Sequence, residues 1–530
     1  MIIIDPVTLG DVAFSRASTK WVCDRTGTLV EVPANVPAVT YDPADLSKAP
    51  YVLIEPEATN YIRNNTMQGA VVGTPGAPPA GWARPALAGF TSSIVAIGQE
   101  SGIDYIDVRY VGGGSGQAYI AFGDYAQQAA APGEKWAISF FHRIVAGSSN
   151  GVTRSRFRLR EGLSNGTYVR DDLADFAMSG GALSSQRTEL VAIMSATTEV
   201  VGAGLVLDIN GAVDFTLRIG LPQLERDRVT SPIKTTNAAV TRAADVVGTT
   251  AGLLYSNVAP TESLWVAGTY ALGARVRDAS HTVYESLAAS NTAPLTDEVK
   301  WKAVGVTAPR AMFDQYNNTQ TTSPEEIIAV LSPQAIAQGL YLGNVDASEI
   351  RVSVVDLKEG VVYSEVQSLI SPTIGSSFYN WAFRRIKRSN YFLTMKMPPY
   401  AGALVTVAIR KPGGVPKCGM CALGPIDEFG PSLMGLGTEG KDYSSTTFDA
   451  DGTSSTKIRP YAKRMSVDVS IDNTDIDYVH TRLEELRQRP VVWVGGPYGS
   501  TAVFGRYGSF RNVIESYPRS KMALQIEGTV

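Results

Sequence analysis

Cysteine and histidine are scarce in this chain of 530 residues, which holds three of each: Cys23, Cys418 and Cys421, and His142, His281 and His480. Three thiols cannot build a disulfide framework for a chain of this length, so its stability has to come from buried apolar surface and from neighbouring subunits. No histidine stands in a metal-ligand or nucleophile motif, and each reads as a packing or surface residue. Charge is also sparse. Asp, Glu, Lys and Arg make up 18% of the chain, with a formal net charge of -4. That leaves no broad cationic surface to neutralise phosphates and argues against nucleic acid or an anionic membrane as the main partner. No stretch approaches the roughly 18 apolar residues of a spanning helix. Ile2, Ile3 and Ile4 follow Met1 without a basic leader, which predicts a cytosolically made chain with no secretion signal and no membrane span.

What the chain does contain is 44% hydrophobic residues, 50 glycines, 29 prolines and 23 tyrosines. This is enough apolar material to fold throughout, cut into short runs by turn formers, and it predicts a mainly β protein of several domains. Residues 1–50 are punctuated by Gly27, Pro33, Pro37, Pro43 and Pro50 and read as an extended lead-in with little core of its own. Residues 51–250 carry β runs at 105–110, 118–122, 136–144 and 212–220 and predict a β-sandwich. In 136–141 both faces are largely apolar, as in a central strand packed on both sides. Residues 260–307 form a small aromatic module, and 310–461 a second, jelly-roll-like sandwich with strands near 326–331, 349–356, 391–397 and 403–409. In that sandwich Pro324, Pro333, Pro372, Pro398 and Pro399 mark turns, and 413–440 reads as a long irregular excursion. Residues 462–530 predict an α+β domain of β-α-β-β-β order. Met465, Val467, Val469 and Ile471 share one strand face, Thr474 caps a helix with Asp477 reaching back, and Ile476, Val479, Leu483 and Leu486 line one side.

Candidates for chemistry are few. Cys418-Gly-Met-Cys421 has the spacing of half a zinc site or of a redox pair, yet no second pair follows, and Pro416 and glycines surround it where a redox motif needs a helix start. Asp449-Ala-Asp-Gly452 imitates the start of a calcium loop, but Pro460 stands where the closing glutamate belongs. The carboxylates of Glu55 and Glu57, Asp104 and Asp107, or Asp427 and Glu428 are candidate glycosidase pairs only if they converge in one cleft. Gly112-Gly-Gly-Ser-Gly116 lacks the lysine and helix of a phosphate loop and reads as a hairpin tip. No cofactor is implied, and the chain is read as non-enzymatic.

Several stretches carry a family resemblance. Phe14-Ser-Arg-Ala-Ser-Thr19, Gly27-Thr-Leu29, Ala34-Asn-Val-Pro37, Tyr41-Asp-Pro43 and Leu53-Ile-Glu-Pro-Glu-Ala-Thr-Asn60 open the first sandwich. Leu221-Pro-Gln-Leu-Glu225, Thr230-Ser-Pro232 and Val240-Thr-Arg-Ala-Ala-Asp245 close it. Together they resemble the lectin-like sandwich domains of bacteriophage tail proteins. Met312-Phe-Asp314 and Gly440-Lys-Asp-Tyr-Ser444 resemble parts of such proteins more weakly. Trp265, Tyr270, Gly273, Val276, Tyr284-Glu285, Asn291, Pro294, Trp301 and Gly305 follow the order of short three-stranded modules of chitinases and phage tail proteins that are associated with carbohydrate.

The resemblance implies a virion protein of the tail tip, baseplate or fibre. Its partners would be other tail proteins and host surface polysaccharide, and its assembly a homo-oligomer, a trimer above all. Trp265, Tyr270, Tyr284 and Trp301 are the carbohydrate-binding candidates. Two readings of these rings stand, core of a small module or platform for sugar C–H faces. After Tyr284 the chain runs Glu-Ser-Leu-Ala-Ala-Ser-Asn291, without the further aromatics of a strong platform, so the module also reads as a spacer. Three functions follow: an adhesin, a purely structural baseplate protein, and a glycan-cleaving tail enzyme.

Overall fold

Glycine, proline and β-branched residues resolve, as the composition predicts, into a mainly β, multi-domain chain. The computed structural model describes residues 1–123, 128–370, 388–448, 453–458, 461–514 and 517–529, with Phe378, Phe383 and Asp451 besides. Pro372, Pro460 and the Asp449-to-Gly452 stretch, apart from Asp451, lie outside the described residues. The chain folds as two units, one of Phe14–Lys48 and Val52–Val247, the other of Met1–Ala13, Ala49–Tyr51 and Gly248–Val530.

In the first unit an eight-stranded sheet wraps round a single core. Its axis is the strand Val200–Arg226, which pairs along one edge with Ile103–Ala121. Along the other edge it pairs first with Val152–Gly162 and then with Lys135–Ser148. Both halves of these long strands feed one core, so the hydrogen bonding continues round it where two separate sheets were expected. Trp136, Ile138 and Phe140 point into that core, while Phe141 joins a smaller cluster with Leu29, Ile103, Leu183 and Leu221. The 136–141 run is thus buried on both faces, as its pattern predicts.

The Gly112–Gly116 run is not a hairpin tip. It lies inside the strand Ile103–Ala121, with Gly112 opposite Val213 and Gly114 opposite Gly211. Gly112, Gly114 and Gly211 have φ of 151°, 144° and 127°, so paired strands change direction together at this point. A Cβ on Gly112 would lie 2.3 Å from the Gly89 carbonyl oxygen. The glycines therefore mark a bend within a ladder, a feature that glycine shares with turns in any sequence pattern.

The second unit holds a sandwich and an α+β part sharing a stack of layers. A six-stranded sheet runs in the order Gly10–Asp11, Gly252–Ser256, Glu326–Ser332, Leu404–Arg410, Glu349–Asp356, Gly360–Ser368. A four-stranded sheet of Thr321–Thr322, Lys417–Gly424, Gly339–Asp346 and Tyr391–Thr394 closes the apolar core against it. Tyr341, Met420 and Ala422 of that second sheet also pack against Ile4, Val492, Val494 and Ala502 of a seven-stranded sheet. The helix Ile476–Glu485 covers the other face, bringing Val479 and Leu483 onto Val467, Val469, Trp493 and Leu524. Its approach is capped by Asp472, whose carboxylate accepts from the Thr474 N–H, where Thr474 itself was expected as the cap.

Two stretches behave differently from their sequence pattern. The expected excursion 413–440 contains the buried strand Lys417–Gly424, the strand Ile426–Glu428 and the start of the strand Gly437–Asp442. Ile2–Ile4 of the lead-in is an inner strand of the seven-stranded sheet, between Val491–Val494 and Ile426–Glu428. A three-residue apolar run gives no periodicity to read, and its partners lie more than 400 positions away in sequence. The small module adds one short parallel strand, Ser263–Leu264, to the three antiparallel strands Arg275–Arg277, Thr282–Ser286 and Trp301–Val306.

Candidate functional site

The stretches that open and close the first sandwich converge on a buried cluster of ionic groups. The Arg16 guanidinium donates to Asp245 at 3.0 Å and to the Pro33 carbonyl at 2.7 Å. The Lys20 ammonium lies 2.6 Å from Asp245 and 2.9 Å from Glu55, and Arg242 lies 2.9 Å from Glu55. Glu55 accepts from the backbone N–H and hydroxyl of Ser231, and its own N–H donates to Asp245. Asn35 and Arg16 exchange hydrogen bonds, and Asn60 ties the Pro222 and Ile233 carbonyls to its amide. Burial lowers the pKa of the Lys20 ammonium, and its two carboxylates offset only part of that. Burial alone would raise the Glu55 carboxyl, but Lys20 and Arg242 hold it below its ordinary range. Buried ions held this way are kept by mutual pairing and backbone donors, so this is a clasp and not a reactive centre.

The small module shows where its four aromatic candidates go. Trp301 is 2% exposed, meets Tyr270 edge-on with centroids 5.2 Å apart, and donates its indole N–H to the Ala293 carbonyl. Its ring is therefore core, and the expectation that Trp301 offers a stacking face is corrected: the module has no larger apolar residue to bury. Tyr270 is half-buried and uses its hydroxyl on both the N–H and the carbonyl of Val266. Trp265 and Tyr284 are half-buried. The Trp265 indole N–H is buried without an acceptor, and one Glu262 carboxylate oxygen lacks a donor. Around them Leu264, Val266, Leu272 and Val299 are exposed.

The other candidates have local roles. Cys418 and Cys421 sit in the strand Lys417–Gly424 as free, buried thiols. Burial pushes the Cys418 thiol up to about 12 and Cys421 well above its ordinary value, so neither is a thiolate at neutral pH. Asp107 binds Arg218 at 2.7 Å, Asp104 binds Lys234, and Asp427 binds Arg482. No group of three or more metal-ligating side chains occurs among the described residues.

One carboxylate pair escaped the sequence reading. Glu161 and Asp172, on the neighbouring strands Val152–Gly162 and Tyr168–Asp175, share a hydrogen bond. Burial and that hydrogen bond raise the Asp172 carboxyl, while Ser195 and Thr198 hold Glu161 down. Direct hydrogen bonding leaves no room for a sugar or a water between them, whereas glycosidase carboxylates stand roughly 5 Å or more apart. No signal in the sequence pairs them beyond their hairpin spacing.

His142 is buried in the sandwich core beside Phe140 and Phe176 and shares a hydrogen bond with Thr188. No helix of the described residues is long and apolar enough to cross a membrane.

No family model matches the chain, and no curated protein does. Among solved structures, the arabinose-bound MgGH51 α-L-arabinofuranosidase is 10% identical, with 42% of this chain and 32% of that chain covered and a TM-score of 0.22. The CBM22-1–CBM22-2 tandem of Paenibacillus barcinonensis Xyn10C is 10% identical, covers 69% of this chain and 96% of that one, and scores 0.21. The glycoside hydrolase domain of Endo-D from Streptococcus pneumoniae R6 is 10% identical, covers 70% and 43%, and scores 0.20. The matched region is thus about a third of the first protein and under half of the third. Likeness at this level carries no argument about fold or activity.

Proposed function

We propose that this chain is a structural and adhesive component of a bacteriophage tail, at the tip, baseplate or fibre, that assembles with other tail proteins and attaches to host surface glycan. The observation that supports it most is the clasp. Arg16, Glu55, Arg242 and Asp245, which lie in the stretches that resemble lectin-like tail sandwiches, join the two ends of the sandwich together with the adjacent Lys20. The likeness therefore falls on positions that set the fold and not on scattered surface residues. In this reading the protein works as a homo-oligomer, a trimer above all, and weak sites gain strength from the symmetry of linked copies. No covalent chemistry is needed.

Trp265 and Tyr284 are the rings of the small module left for sugar, and Trp265 brings a buried N–H that lacks an acceptor. The test is binding of the purified chain to host cells and to their extracted polysaccharide, beside a Trp265→Ala/Tyr284→Ala variant whose folding is checked. Saturable binding weakened about tenfold in the variant supports the adhesive reading with this module as a contact. Binding by neither protein moves the assignment to a purely structural tail component, the reading that the core position of Trp301 favours. Sedimentation of the same sample checks the trimer.

A further inference from the structure

A cleft of about 250 Å³ lies in the second unit, lined by the four-stranded and seven-stranded sheets and the loop before Thr321. Tyr341 and Asn344 come from one sheet, Tyr461, Lys463 and Phe504 from the other, and Thr529 follows the last strand. Asn317, Asn318 and Asn390 complete the lining. The lining contains no aspartate and no glutamate, so its formal charge is that of Lys463 alone.

Two of these groups are left without partners by the fold. The Lys463 ammonium makes no ion pair or hydrogen bond among the described residues, and its burial lowers its pKa with no carboxylate to offset this. The Thr529 hydroxyl is buried with no hydrogen-bond partner. Buried polar groups are nearly always satisfied, so the Thr529 hydroxyl, with the half-buried and unpaired Lys463 in the same cleft, marks a place where a ligand supplies what the protein lacks. By contrast Arg464, the next residue along, is paired with Glu527 at 2.9 Å.

We infer that this cleft binds one carboxylate-bearing sugar residue of an acidic glycan, with its carboxylate on Lys463, its hydroxyls on Thr529 and the asparagine amides, and its C–H face against Tyr461 or Phe504. The volume falls below the roughly 300–1,000 Å³ of a drug-sized site, which suits a single ring of a longer chain. Amides and hydroxyls serve sugar hydroxyls, and a single lysine serves one carboxylate. With no carboxylate in the lining, the cleft lacks the acid and base pair of glycoside hydrolysis. The inference rests on the adhesive reading only in taking the ligand to be a glycan, and the cleft is separate from the small module.

The experiment is calorimetric titration of the full chain with trigalacturonate, its neutral galactose counterpart and sodium acetate, with no host material present. Lys463→Gln, Lys463→Arg and Thr529→Val are titrated alongside, each with a melting curve to check folding. Trigalacturonate should bind saturably, at least tenfold more tightly than the neutral sugar and than acetate. Lys463→Gln should weaken it about tenfold or more, Thr529→Val several-fold, and Lys463→Arg little, with affinity falling as salt rises. Undiminished binding by folded Lys463→Gln, equal losses in the Gln and Arg variants, acetate binding as tightly as the sugar, or no binding of trigalacturonate would each overturn the proposal. Because no host is involved, these results separate failure of the cleft from failure of cell attachment, which is read on whole cells.

Discussion

Arg16 and Asp245 meet at 3.0 Å with both side chains fully buried, joining positions 229 residues apart in the chain. Lys20 shares the same carboxylate at 2.6 Å, so one aspartate compensates two buried cations. Asp245→Ala leaves Arg16 without a carboxylate and Lys20 with Glu55 alone, and breaking a buried pair from one side costs about 3–5 kcal/mol. Urea unfolding of the variant should show the transition of the first unit shifted by that amount, with the second unit unchanged. A loss below about 1 kcal/mol would mean that water reaches the cluster and that it is not a clasp.

Acid should weaken the first unit through two groups. Glu55 has a folded pKa below its ordinary value, so its contribution is present above the unfolded pKa and is lost as pH falls through the folded one. His142 is a base whose pKa burial lowers from 6.5 to about 4. Between these values the unfolded chain takes up a proton that the folded one refuses, so stability falls with pH across that window, by about 3 kcal/mol at most. Unfolding free energies measured from pH 7 to pH 4 should decline, and His142→Phe should flatten the part between 6.5 and 4. An unchanged slope in that variant would show that His142 is not the titrating group.

Trp301 holds the small module together, since its ring packs edge-on against Tyr270 and its N–H binds the Ala293 carbonyl. Truncating a buried tryptophan costs about 3–5 kcal/mol, more than a module of this size can lose and stay folded. Trp301→Ala should become sensitive to trypsin at Arg275, Arg277, Lys300 and Lys302, while sites elsewhere keep their resistance. Protection equal to that of the parent chain would place the ring outside the core.

The glycine bend gives a sharper geometric test. At Gly112 the backbone has a φ of 151° and an added Cβ would meet the Gly89 carbonyl oxygen at 2.3 Å. Gly112→Ala should therefore destabilise the first unit by about 1–3 kcal/mol. Gly133→Ala is a weaker control, since nothing lies within 4 Å of its added Cβ, although its φ of 80° also disfavours alanine. Equal, negligible effects at both positions would remove the bend from the account of the fold.

Much of the strand content could be read from local pattern. Glu349–Asp356 and Val491–Val494 fall where the sequence pattern places them, and Val479 and Leu483 face the sheet as their spacing requires. The runs at 105–110 and 118–122 were legible as strands, but their fusion across Gly112–Gly116 was not, because glycine marks turns and bends alike. The excursion at 413–440 hid the strand Lys417–Gly424 for the same reason: its small residues carry no alternation. Of the candidate site, the aromatic content of residues 260–307 was evident, but not which rings would be buried.

By itself the sequence determined the class of this protein. Few cysteines, modest charge and short apolar runs broken by glycine and proline leave a mainly β, multi-domain chain as the outcome, because backbone preference and side-chain alternation act over a few residues. Only the tertiary structure decided that Ile2–Ile4 sits inside the last sheet, that Arg16 and Asp245 share one buried site, and that Lys463 and Thr529 meet in one cleft. Those relationships join positions tens to hundreds of residues apart. They depend on how sheets stack and which charges find partners once water is excluded, and no local pattern encodes that.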